Sequence, residues 1–90
     1  MQGRPSLENP VQVKHHYRYY PDSAVYMDIG RRLFFYHEDG KWVAATILPA
    51  KVHVDWKSYV ILEMNTDKPY EHHAEVSKKY PPKYPMRTLP

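Results

Sequence analysis

The sequence contains no cysteine. That excludes a disulfide framework, a thiolate nucleophile, a cysteine-based zinc site and an iron–sulfur cluster. Glycine is scarce, at three residues, so a phosphate-cradling glycine loop is hard to build. No nucleophile elbow and no His-Glu-x-x-His helix signature occurs, and an enzyme is not expected. No stretch approaches the roughly 18 apolar residues of a membrane span. The first ten residues, MQGRPSLENP, hold no apolar run, so no signal peptide is expected there. Charge of one sign is not concentrated either. The formal net charge is +3 with histidines neutral, and the basic residues are spread along the chain, which argues against a nucleic-acid footprint.

Aromatic residues are plentiful: nine Tyr, two Trp and two Phe in 90 residues. A chain this short buries only about 60–65% of its unfolded surface, so its core must be thin. Tyrosine brings an apolar ring and a hydroxyl that needs a partner. Such rings suit the core edge of a single sheet covered on one face.

Residues 1–13 are polar and aperiodic and read as a disordered lead-in to a globular unit over 14–80. Residues 81–90 carry four prolines and read as an extended tail. Within 14–80 the hydrophobic period is two. Val13–Tyr20 reads as an edge strand stopped by Pro21-Asp22, and 24–29, 32–37 and 41–48 as further strands. Asp39-Gly40 between apolar runs is a hairpin signal. Residues 50–57 include Val52, Val54 and Trp56 and allow a short strand. Tyr59–Met64, nearly all apolar, reads as a central strand covered on both sides. The period then changes. Asn65-Thr66-Asp67 offers cap oxygens, Pro69 suits a first helical turn, and Lys78 and Lys79 suit the last. Tyr70, His73, Ala74 and Ser77 share one stripe of this helix, with Val76 and Tyr80 beside it. The fold class is α+β, mainly β: an antiparallel meander of four to five short strands with one C-terminal helix packed on it. A small SH3-like barrel is the alternative.

Tyr19-Tyr20-Pro21, Val25-Tyr26-Met27-Asp28, Arg32-Leu33-Phe34-Phe35-Tyr36, Gly40-Lys41-Trp42 and Leu48-Pro49 form an ordered series of motifs. Tyr59-Val60, Glu63-Met64, Thr66-Asp67-Lys68-Pro69-Tyr70, His73, Glu75 and Lys79-Tyr80-Pro81-Pro82 continue it. Over about residues 15–83 the chain resembles a family of small bacterial, often exported proteins of uncharacterised function. The resemblance implies a periplasmic or secreted setting and brings no activity or cofactor with it.

Two residue groups are candidates for function. Phe34 and Tyr36 alternate with Leu33 and Phe35, so one set faces outward. With Tyr26 and Trp42, they make a candidate ligand face of Tyr26, Phe34, Tyr36 and Trp42, able to stack bases, sugars or a Pro-rich peptide. Arg18, Arg31 and Arg32 would supply charge beside it. The second group is His72 with Glu75, joined by His15 or His16, as a three-ligand site for zinc, copper or nickel. The pairs His15-His16 and His72-His73 are each too divergent to chelate alone. The expected function is a non-enzymatic binding or structural module, possible as a homodimer through an open edge at residues 14–20. The alternatives are transition-metal binding and binding of single-stranded nucleic acid or peptide on the aromatic face.

Overall fold

The computed structural model describes residues 14–83. Five strands alternate apolar and polar positions as the period of two requires: β1 (His15–Tyr20), β2 (Val25–Asp28), β3 (Leu33–Glu38), β4 (Lys41–Ala45) and β5 (Val60–Met64). They form one antiparallel sheet in the order β4-β3-β2-β1-β5. Strands β1 to β4 are a meander, and the chain over 46–59 then crosses the sheet so that β5 pairs with β1. The sheet is open, with β4 and β5 at opposite edges, so it does not close into a barrel.

Two expectations are corrected. Strand β1 is interior, bonded to β2 on one side and β5 on the other, so residues 14–20 offer no edge for a homodimer. Conversely β5, read as central from its apolar run, is an edge strand, and Ile61 is 54% exposed. An apolar run reports side-chain surroundings, whereas edge position depends on which main chain lies alongside.

Local chemistry explains the turns. Asp39 and Gly40 both take positive φ, 53° and 79°, the pattern of a two-residue hairpin turn that matches strand twist. Between β2 and β3, Asp28 holds the turn. Its Oδ1 accepts the Arg31 main-chain N–H at 2.9 Å, and its main-chain carbonyl accepts Arg32 N–H at 2.7 Å. The expected strand over 50–57 has no ladder partner. Its alternation survives, with Val52 and Val54 packed inward and His53 and Asp55 exposed.

The C-terminal helix is shorter than the pattern predicted. Pro69–His72 is a 3₁₀ turn, and α1 spans His73–Lys79. Thr66 organises the entry, its Oγ1 accepting Lys68 N–H at 3.0 Å and donating to Glu71 at 2.7 Å. At seven residues the helix depends on packing for its stability. Tyr70, His73, Val76 and Tyr80 turn toward the sheet, while Ala74, expected in that stripe, is exposed.

Cover lies on both sheet faces, over part of the one opposite α1, where a single covered face was expected. The α1 face holds Tyr17, Tyr19, Tyr26, Phe35 and Val76, with Leu62 and Met64 at its β5 margin. The opposite face holds Tyr20, Val25 and Tyr36 beneath Leu48, Val52, Val54 and Tyr59 of the 46–59 segment and its junction with β5.

Gly40→Ala tests the hairpin turn. A Cβ there meets nothing within 4 Å, so the cost is that of the left-handed backbone alone. Urea unfolding should show a loss of about 1 kcal/mol, and an unchanged midpoint would contradict the turn assignment.

Candidate functional site

Alternation divides the four residues of the candidate ligand face. Tyr26 and Trp42 lie on the α1 face, and Phe34 and Tyr36 lie on the other. Tyr26 is fully buried and Tyr36 is 6% exposed, so neither is open to a ligand. The expectation of one aromatic platform is therefore corrected: Phe34 and Tyr36 share a face, but not with Tyr26 and Trp42.

On the α1 face the aromatic residues pack on one another. Trp42 stacks on Tyr70 at 5.4 Å with the rings 7° from parallel, and its centroid lies 4.9 Å from that of His73. The Tyr26 hydroxyl and His73 Nδ1 are hydrogen-bonded at 2.9 Å. Burial pushes the Tyr26 phenol well above its ordinary value, so it stays protonated and is no nucleophile. Burial, and secondarily His37, lower the His73 pKa below its ordinary 6.5. A small cavity of about 270 Å³ between Ala24, His37, Trp42 and His73 opens beside this pair. The arrangement joins helix to sheet, with His37 as a third polar group at the cavity rim.

The proposed metal ligands are not brought together. His15 Nδ1 lies 3.8 Å from Asp28 Oδ2, on the α1 side of the sheet. His16 turns to the other face, 3.2 Å from Glu63. His72 and Glu75 approach to 3.7 Å on the exposed side of α1. Among the described residues no group of three or more His, Asp or Glu side chains could hold a metal ion. Strand alternation separates His15 from His16, and neither reaches the helix pair.

Arg31 also departs from the expected ligand face. Its Nε donates to Asp28 Oδ2 at 2.6 Å and its Nη2 to the Asp67 carbonyl at 2.8 Å. Burial raises the Asp28 pKa, but the main-chain N–H and guanidinium of Arg31 outweigh it, and the net shift is downward. Arg31 is thus a structural tie.

Two of the open features bear on ligand binding, beside a cavity of about 380 Å³ lined by His15, His16, Asp28, Ile29 and Ile61. The first is a groove of about 470 Å³ between β5 and α1, lined by Leu62, Met64 and Val76 with Glu63, His72 and Glu75 among the polar residues around them. Its border is a strand edge. Ile29 N–H donates to the His16 carbonyl, so the main chain of even-numbered β1 residues faces β2 and that of odd-numbered ones faces β5. The main-chain groups of Ile61 and Glu63 consequently point away from β1, to the open edge.

The second lies on the face opposite α1, where 46–59 packs over the Tyr20, Val25 and Tyr36 end and reaches the rest through Trp56 against Phe34 and Tyr59 against Arg18. The less covered end carries Arg18, Met27, Ile29, Phe34 and Ile61. Arg18, Arg32, Met27, Ile29, Phe34 and Thr46 line a cavity of about 360 Å³. Arg18 sits in β1 directly between Met27 of β2 and Ile61 of β5. Ile29 is 37% exposed and Trp56, with its ring 5.9 Å from that of Phe34, is 51% exposed. Sequence reasoning placed Phe34, Arg18 and Arg32 near one another, but it missed Met27, Ile29, Ile61 and Trp56. Their exposure depends on how far 46–59 reaches across the sheet.

The chain matches no protein-family model, no curated protein and no solved structure.

His73 makes stability pH-dependent in a defined window. Its folded pKa lies below 6.5, so the unfolded chain binds the proton more readily. Its contribution is therefore complete above 6.5 and is lost progressively as pH falls below 6.5 toward the folded value. Asp28, shifted downward from 3.8, contributes fully above 3.8 and loses its contribution only below that. The urea midpoint should fall between pH 7.5 and 5, and His73→Gln should flatten that part of the curve. An equal fall in the variant would contradict the assignment. Tyr26→Phe leaves His73 Nδ1 without its partner and should cost about 1–3 kcal/mol.

Proposed function

We propose that this protein is a non-enzymatic binding module that takes its ligand on the sheet face opposite α1, at the end that 46–59 covers least. The observation that carries this reading is the gathering of exposed apolar side chains there. Ile29, Ile61 and Trp56 are among the exposed large hydrophobic residues of the described chain, at 37%, 54% and 51%. They are linked through Arg18, Met27 and Phe34 into one surface. Scattered exposed apolar residues are ordinary, but a contiguous group beside a cavity marks an interaction surface. The centre of the other face is filled by α1 and the Trp42–Tyr70 stack.

Binding without catalysis fits the chemistry of the face. The polar groups lining the cavity are guanidinium and hydroxyl, with no histidine or carboxylate among them. Nothing there accepts a proton near neutral pH, which acid–base catalysis requires.

The open edge of β5 supports a second reading. The outward main-chain groups of Ile61 and Glu63, next to the apolar groove under Val76, suit an extended peptide added as a strand. Strand β5 carries no proline or lysine to discourage such pairing.

Side-chain methyl NMR with a set of small aromatic fragments separates the two. The first reading predicts saturable shifts at Met27, Ile29 and Ile61. Shifts confined to Leu62, Met64 and Val76 would overturn it in favour of the groove, and silence at both places would overturn both.

A further inference from the structure

We infer that Arg18 and Arg32 form a receptor for an oxyanion, a phosphate or carboxylate group carried on a small ligand with an apolar or aromatic body. This rests on the reading that the face opposite α1 binds ligands, and it names the chemistry recognised there.

The inference starts from an uncompensated charge. Arg18 is half-buried at the middle of an interior strand, between Met27 and Ile61. Its Nε is buried and has no hydrogen-bond partner among the described residues, a condition shared only with Ser23 Oγ. Its guanidinium lies over the Tyr59 ring at 4.8 Å. That contact orients the cation but does not pair the Nε–H donor. Buried donors are nearly always paired, and a buried charge without a partner is costly.

No carboxylate of the described chain compensates it. Neither Arg18 nor Arg32 enters an ion pair among the described residues. Of the acidic groups, Glu63 on this face is taken by His16 at 3.2 Å, and Asp55 accepts from Lys57 N–H and Ser58 Oγ. Asp28 and Glu38 are engaged by Arg31 and Lys51.

A second unpaired arginine borders the same space. Arg32 sits in the β2–β3 turn with φ 59°, and its side chain lines the cavity of about 360 Å³ with Arg18. Guanidinium forks match the oxygen pairs of carboxylate and phosphate, and two of them around one cavity fit one oxyanion better than two separate ones. Thr46 adds a hydroxyl to the lining, while Met27, Ile29 and Phe34 make the remainder apolar. These side chains suit an apolar or aromatic body on the anion. Only two cations line the cavity. A small ligand therefore fits better than a polyanion, which needs a run of cationic contacts.

The test titrates the protein with phenyl phosphate, phenylacetate and the neutral analogue benzyl alcohol, read by NMR at the Arg18 Nε–H, Met27 and Phe34 signals. At least one anion should saturate these signals and bind about tenfold or more tightly than benzyl alcohol, the size of a charge-assisted hydrogen bond. The preferred anion then identifies phosphate or carboxylate as the source. Arg18→Met should weaken that binding about tenfold or more. Arg32→Gln, at an exposed turn position where folding is not at risk, should weaken it severalfold. Lys14→Gln, outside the cavity, should leave it unchanged. Equal binding of benzyl alcohol and the anions, or an Arg32→Gln variant that binds the anion as wild type does, overturns the oxyanion receptor while leaving the apolar surface standing. Silence of all three probes at these signals overturns the receptor and the surface together.

Discussion

The hydroxyl groups of buried tyrosines constrain the rest of this structure. Tyr17, Tyr19 and Tyr26 are 0%, 1% and 0% exposed, and their rings form the floor of the α1 face. Burying each ring is favourable by about 1.5–3 kcal/mol, comparable to a large aliphatic side chain. An unpaired hydroxyl would forfeit much of that gain. Two of the three reach distant parts of the chain. Tyr17 donates to the Thr66 carbonyl at 2.7 Å, and Tyr26 is bonded to His73 Nδ1 at 2.9 Å. The segment 66–73 is therefore fixed where these hydroxyls point, and a helix too short to persist alone is held to the sheet. Burial also pushes the Tyr17 and Tyr19 phenols up to about 12, which keeps them neutral.

A second tie closes the same corner. Asp28 is 2% exposed, and Arg31 joins it to the Asp67 carbonyl. The β2–β3 turn, β1 and the β5–helix connection thus meet around one carboxylate. This contact also accounts for the fate of three consecutive charged or turn positions. Gly30 and Arg31 serve the turn, while Arg32, with left-handed φ, is released toward the opposite face. One arginine is structural and its neighbour borders the cavity on the other face because the turn sends them in different directions.

The two faces consequently differ in purpose. The α1 face is consumed by aromatic packing, and its histidine is tuned by burial. The opposite face is half-covered by 46–59, which has no ladder of its own and packs through Val52 and Val54. What it leaves open is apolar and cationic together. In this small protein that combination is the most distinctive surface chemistry, and it arises from incomplete covering of the sheet.

The fold class was legible from the sequence. The period of two over 13–20, 32–37 and 41–48, the Asp39-Gly40 turn and the change of period near Pro69 are local signals, and local sterics and hydrogen bonding enforce them. Much of the candidate site was not legible. Phe34 beside Arg18 and Arg32 was within reach, because alternation puts Phe34 and Arg18 on one face once β2 lies between them. The separation of Tyr26 and Trp42 from Phe34 and Tyr36 follows from the same alternation, but only after the register Tyr26↔Phe35 and His37↔Trp42 is known. The sequence by itself determined the strands, the hairpin turn and the helical segment, since each depends on neighbours within a few residues. Only the tertiary structure decided that β5 returns to β1, that β1 is therefore interior, and that Arg18 meets no counter-ion among the described residues. Those outcomes depend on which distant main chain and side chains come to lie alongside, and no local pattern encodes that.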